Sequence, residues 1–356
     1  MTDASAAGSA PGPRAREWYL QHLGALGASP DEVDDALANG TLPELVRNYA
    51  LWGRRPDLTL TDIANSLGVS VEKVRRVARA AGFTYDVDDP VWVRDDEALF
   101  NSFVEGSALF EPQLLLRYSR MLGDATSRIA EGSMSLFLRT TADDLEPGSA
   151  DELAMEERAI LAIRVFRDSV TKTIERMLLH HFVLAGERMS AMRDSQHTVE
   201  AAVGFVDLTD STGLIVDYGV RAIEPALAKF EMAAADAAAS WGGRLVKLIG
   251  DAAMFVTPDA DGAVAATVEI VRAVASDDRL RGARGGVTFG ELLHRDGDYF
   301  GDPVNLAARL ANAAPTGAVF VDGAVAKRIG DAAVSDGTRR IEGFTEPVEV
   351  FRVDAD

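Results

Sequence analysis

The sequence contains no cysteine among its 356 residues. This excludes disulfides, thiolate metal sites and a cysteine nucleophile together, and it suits a reducing cytoplasm. Positive charge is also scarce: 36 Lys and Arg face 56 Asp and Glu, for a net charge of -20. The deficit is evenly spread, with 21 basic against 31 acidic residues through position 199 and 15 against 25 beyond it. A protein that holds nucleic acid by neutralising phosphates needs one clearly basic region, and neither half has one. Long hydrophobic runs are missing too. The most apolar stretch, MLLHHFVLA at 177–185, is about half a membrane span, carries two histidines and reads as one buried face of a helix. No transmembrane segment is expected. With 47% hydrophobic and 26% charged residues, the composition is globular, and the length suffices for two or three cores.

Residues 1–13, MTDASAAGSAPGP, are small and flexible and lack the apolar centre of a secretory signal, so a disordered tail is expected. From residue 14 to 150 apolar residues recur at three- and four-residue spacing, which predicts an all-helical region. A polar break, DDLEPGS at 143–149, precedes a long helical run over 151–197 that reads as a linking helix. After residue 197 short β-like runs alternate with helices. AAVGFVD (201–207), 244–249, 252–256, 285–292 and 318–321 read as strands, 221–241, 262–275 and 304–313 as helices, and 340–353 as a closing hairpin. The order β-α-β-β-α-β with additions is the ferredoxin-like split arrangement, an antiparallel sheet with helices on one face and the other face open to a partner. The fold class is therefore α+β, with the second domain at 198–356.

Within 58–83, LTLTDIANSLGVSVEKVRRVARAAGF, the spacing predicts a helix-turn-helix, with Ile63, Ala64 and Leu67 before Gly68 and Val71, Val74 and Val77 after it. Lys73, Arg75, Arg76 and Arg79 on the second helix match a DNA-reading unit. The acidic surroundings argue against it, and such a helix pair is also a generic packing unit.

Three segments of the second domain place acids and bases where core packing would not. FVDLTDST ends a strand at Asp207. KLIGD presents Asp251 in a tight turn. Carboxylates from neighbouring strand ends can bind two hard divalent cations, with water and phosphate oxygens completing the coordination, and this suits phosphoryl transfer. In DYFGDPVNLAAR, Asn305 and Arg309 lie four apart on one helical face, where Arg309 can take charge developing on an α-phosphate while Asn305 holds a ribose.

FVDLTDST, KLIGDAAMFV and DYFGDPVNLAARL resemble the three signature segments of class III adenylyl cyclases, in order and suitably separated. The resemblance implies conversion of ATP to 3′,5′-cyclic AMP and pyrophosphate. It assigns two Mg²⁺ or Mn²⁺ ions per site to Asp207 and Asp251, adenine recognition to Lys247 and Asp298, and transition-state stabilisation to Asn305 and Arg309. It also implies a head-to-tail homodimer with two composite sites, the metal ligands coming from one subunit and the other four residues from its twin. Adenine offers an acceptor at N1 and a donor at N6, matching Lys247 and Asp298, whereas guanine reverses that edge. Two positions depart from the family pattern: Asp210 stands where Gly is common, and Glu291 where some relatives carry a phosphate-binding Arg. The N-terminal region resembles the all-helical regulatory module of actinobacterial soluble adenylyl cyclases, which implies an autoinhibitory, pH-responsive domain with fatty acid as a candidate ligand. Histidine suits sensing near neutrality, and His180, His181 and His197 lie in or just after the linking run, with His22 further upstream. Two alternatives remain: a DNA-binding regulator whose C-terminal domain senses nucleotide, and a guanylyl cyclase.

Overall fold

The computed structural model describes residues 13–142, 152–191 and 198–355. The chain divides into two compact units, Met1–Ala185 and Gly186–Asp356.

In the first unit, helices α1 (Pro13–Gly24), α2 (Pro30–Asn39) and α3 (Leu42–Trp52) are followed by α4 (Leu60–Leu67), α5 (Val71–Ala80), α6 (Glu97–Gly106) and the long α7 (Pro112–Ala142). Their starts are written into the sequence. Ser29 and Thr59 each accept the amide of the residue three along, Glu32 or Asp62, whose carboxylate returns the bond; this reciprocal cap satisfies two otherwise orphaned N–H groups. Gly68, at φ 64°, closes α4 and turns the chain into α5, so the expected helix-turn-helix is present. Two of its cations contact other groups of the chain: Lys73 donates to the Ser107 hydroxyl at 3.3 Å and Arg75 pairs with Glu72. Two apolar clusters hold the unit. One gathers Leu23, Val33, Leu45 and Tyr49 with Ile160, and the other Leu60, Ile63, Val74, Val77, Trp92 and Phe100. The only β contact among the described residues here is a single bridge, Leu58 with Trp92.

The linking run is helical over 152–191, as α8 (Glu152–Val165), a π-helical turn (Phe166–Val170) and α9 (Thr171–Ala191). No helix of the described residues is long and apolar enough to cross a membrane.

The second unit contains β1 (Thr198–Leu208), α10 (Ser211–Tyr218), α11 (Val220–Ser240), β2 (Arg244–Ile249), β3 (Ala252–Thr257), α12 (Ala260–Ala275), β4 (Ala283–Arg295), β5 (Asp298–Phe300), α13 (Asp302–Ala313), β6 (Ala318–Asp322), α14 (Gly323–Ile329), β7 (Val334–Arg339) and β8 (Val348–Asp354). The sheet runs β2-β3-β1-β4-β6-β8-β7, with β5 paired to β4. The β-α-β-β-α-β order is as expected, with three differences. The β4–β6 pair is parallel, because the chain crosses back over the sheet through α13 before returning. The closing hairpin takes its first strand from 334–339 rather than from 340 onward.

The third difference bears on the site. Alternation along β1 sends Ala202 and Val206 into a cluster with Ala234 and Phe230 of α11 and Ile270 of α12. Val203 and Phe205 point the other way, into a cluster with Ala307 and Ala311 of α13. The second face is therefore partly covered by α13 instead of wholly open. Two consecutive glycines of β4 permit this: a methyl on Gly285 would overlap Thr267 of α12, and one on Gly286 would overlap the Ala307 carbonyl and the Ala311 amide of α13. Both helices thus approach the strand more closely than any side chain allows.

Candidate active site

Asp207 continues the face of Val203 and Phe205 to the end of β1, opposite Ala252 of β3 and Arg284 of β4. Arg284 donates from Nε at 3.0 Å and from Nη2 at 2.8 Å to Oδ2 of Asp207. Its Nη1 donates to the Asn312 carbonyl oxygen, near the end of α13, at 2.6 Å.

Asp251 sits in the β2–β3 turn after Gly250, whose φ is 63°. Its carbonyl accepts the Leu208 amide at 3.2 Å, which fixes the turn beside the end of β1. The Ser211 hydroxyl donates to its Oδ2. The two acids thus stand at neighbouring strand ends, as expected. Among the described residues, Oδ1 of each carries no hydrogen bond, and no group of three or more His, Cys, Asp or Glu is placed to hold a metal. Two hard carboxylate donors with an open oxygen each fit a divalent cation that takes the rest of its coordination from water and phosphate.

Asp210 has φ 54°, the left-handed region where glycine is common and aspartate is among the tolerated side chains. This accounts for the exchange with the family's Gly. Its carboxylate accepts the Gly213 amide at 3.3 Å and pairs with Arg281, so it caps the start of α10. Glu291, the other departure, is exposed on β4 opposite Glu200.

Lys247 and Asp298 lie 51 positions apart, yet Nζ donates to Oδ2 at 2.5 Å. Asp298 Oδ1 also accepts the Tyr299 amide at 2.8 Å, and the ammonium stands 5.9 Å from the centre of the Phe300 ring. Arg244 steadies the same hairpin, donating to the Gly297 carbonyl at 2.6 Å with its guanidinium 5.2 Å from the Tyr299 ring centre.

On α13 the buried positions are Ala307, Leu310 and Ala311, which leaves Asn305 and Arg309 on the outer face. Arg309 pairs with Glu342 at 3.2 Å. Among the described residues, no hydrogen bond joins Asp207 or Asp251 to Lys247, Asp298, Asn305 or Arg309. The six fall into three local groups within the chain.

Arg284, Ser211 and Glu342 were not singled out by the sequence. Each meets its partner through strand register or a long connection, and no short motif signals it. Of the histidines, His180 and His181 are exposed on α9, beside Lys172, Arg176 and Met177. His22 stacks on Trp18, with ring centres 4.0 Å apart. His197 lies outside the described residues.

No protein-family model matches the chain. An uncharacterized protein of Mycobacterium tuberculosis is 31% identical over 354 residues, covering 99% of this chain and 93% of its own length. An adenylate cyclase of Streptomyces coelicolor is 30% identical over 314 residues, 84% of this chain and 79% of its own. The chain belongs to the class III adenylyl cyclases. A relative named as a pH-sensitive adenylate cyclase, also from Mycobacterium tuberculosis, is 29% identical over 369 residues, 97% of this chain and 89% of its own. Both named cyclases match through the first unit of this adenylyl cyclase family member as well as through its second.

Proposed function

We propose that this chain converts ATP to 3′,5′-cyclic AMP and pyrophosphate. The observation that carries the reading is the Lys247–Asp298 contact, which brings an ammonium and a carboxylate together at 2.5 Å from distant segments. That pair is complementary to the Watson–Crick edge of adenine, with Lys247 donating to N1 and Asp298 accepting from the N6 amino group. Guanine at the same place would set a carbonyl against the carboxylate and leave polar groups unpaired.

In the reaction the ribose 3′-oxygen attacks the α-phosphorus and loses its proton to solvent. The bond from that phosphorus to the bridging oxygen breaks, and its electron pair leaves with pyrophosphate. Asp207 and Asp251 would hold two Mg²⁺ or Mn²⁺ ions. Such ions supply charge neutralisation on the triphosphate and acidify the attacking hydroxyl. Arg309 takes up charge growing on the α-phosphate oxygens, and Asn305 orients the ribose.

The active form is a homodimer with two composite sites, Asp207 and Asp251 of one subunit acting with the other four residues of its twin. This is supported by the placement of Asn305 and Arg309 on the outer side of α13, away from the chain's own core. The helical region 14–150 with its linking run regulates this activity in response to pH; a relative from Mycobacterium tuberculosis that is named pH-sensitive supports the pH dependence. The decisive experiment incubates purified chain with Mn²⁺ and ATP, or with GTP, over a range of pH. Cyclic AMP formed from ATP is expected; its absence at every pH, with the protein folded, overturns the reading.

A further inference from the structure

Arg244 has no place in the proposed chemistry, yet it grips both chain neighbours of Asp298. Its Nη2 donates to the Gly297 carbonyl at 2.6 Å, and its guanidinium lies 5.2 Å from the centre of the Tyr299 ring. Gly297 precedes Asp298 and the buried Tyr299 follows it. Arg244 itself stands on β2, the strand of Lys247. One side chain on the strand of the ammonium therefore holds the residues on either side of the carboxylate.

The sheet does not supply this tie. β3 and β1 lie between β2 and β4, and β5 pairs with β4, so no backbone ladder joins the strand of Lys247 to the strand of Asp298. The β4–β5 hairpin turns tightly through Asp296, at φ 54°, and Gly297, at φ 82°, and β5 is only 3 residues long. On β2 the register shifts between Leu245 and Lys247, an irregularity of the kind that re-aims the side chains beside it. Nε of Arg244 is buried with no hydrogen-bond partner among the described residues. Burying a donor unpaired is unfavourable, and an arginine kept only for surface charge would turn outward instead.

Resting on the reading that Lys247 and Asp298 address adenine, we propose that Arg244 is a positioning residue that sets the spacing of this pair and, through it, the preference for an adenine over a guanine edge. A planar guanidinium can lie against a ring and donate in its own plane at the same time. A lysine can reach the Gly297 carbonyl but has no plane to lay on Tyr299.

The test titrates the full chain, with Mn²⁺, against 3′-deoxy-ATP and 3′-deoxy-GTP by calorimetry. Both analogues lack the attacking oxygen, so the ratio of their dissociation constants reads base preference without turnover. Arg244→Met keeps the apolar stem and removes the donors and the charge. It is expected to narrow the ratio about tenfold or more, since misplacement by about an ångström can cost a hundredfold, and to raise KM for ATP by more than it lowers kcat. Arg244→Lys is expected to fall between that variant and the unaltered chain. A residue that merely stabilised the domain would weaken both analogues alike. If Arg244→Met is folded by circular dichroism and keeps the ratio within about twofold, the inference is overturned. Should it fail to fold, Arg244→Gln is read by the same criterion; failure of both to fold also overturns the inference, because the side chain then supports the domain rather than the pair. A ratio left unchanged by Lys247→Ala would overturn the adenine reading itself, independently of Arg244.

Discussion

At the scale of single residues, the proposed base-reading pair, Lys247 and Asp298, gives the sharpest expectation. Lys247→Ala removes the donor proposed for adenine N1 and leaves Asp298 without its counter-ion. We expect kcat/KM for ATP to fall about a hundredfold, roughly the cost of one lost charged hydrogen bond. The ATP-to-GTP preference should narrow, measured by paired assays with the two nucleotides. The six candidate residues could be picked out because each sits in a short contiguous segment with its own backbone signal: a strand end at Asp207, a glycine turn at Asp251, a loop entering a helix before Asn305. Arg284 could not. Its contact with Asp207 depends on β1 and β4 pairing in one register, and nothing within a few positions of Arg284 states which residue will lie opposite it.

Among the elements, α13 decides how much of the sheet's second face remains open. Gly286→Ala would force a methyl against the Ala307 carbonyl and the Ala311 amide, backbone atoms that cannot step aside without moving the helix. A loss of about 1–3 kcal/mol is expected, read as a lowered denaturant midpoint with an unchanged slope. In α2 a carboxylate sets an acid-side limit. Burial raises the Glu32 pKa, but the Ser29 amide and hydroxyl, the Tyr49 hydroxyl and the charge of Arg55 together bring it below the ordinary value. Because the folded pKa is depressed, this stabilisation is present above the unfolded value of about 4.3 and is lost as pH falls through the folded one. Glu32→Gln should lower the thermal midpoint of the first unit near pH 7, and the difference should shrink as pH drops below about 4. The partner hydroxyl of Tyr49, raised to about 12 by burial and then by Glu32, stays protonated throughout that range. Most helices and strands could be read from periodicity, whereas α10 and α14 could not. Each is seven or eight residues long, too short for an apolar period to stand out from the strand or turn beside it, and α14 is held by the Asp322 cap and by burial of Val325.

For the whole molecule, the proposed composite sites make a prediction that no single chain can imitate. Asp207→Ala and Arg309→Ala chains should each be inactive as homodimers. Mixed, they should regain activity through the one site of each heterodimer that keeps both halves, about a quarter of the full value when the chains associate at random. Association is followed by analytical ultracentrifugation, and cyclic AMP by direct assay. No recovery from demonstrably mixed dimers would place all six residues in one chain's site. The change from a run of helices to strands alternating with helices was visible in the switch from one spacing of apolar residues to two. The sequence did not show that α13 would cross to the far side of the sheet, because a crossover is set by chain direction and packing rather than by any local signal.

The short ion pair between Lys247 and Asp298 has a thermodynamic consequence for the proposed binding of ATP. An incoming purine must separate a cation and an anion that already satisfy each other, so swapping one charged contact for two neutral-edge contacts yields little net attraction. Grip must then come from the phosphates, and adenosine alone should bind far more weakly than the nucleotide with its cation. Under the proposed function, the base then acts as a password, checked only after the triphosphate has anchored the molecule.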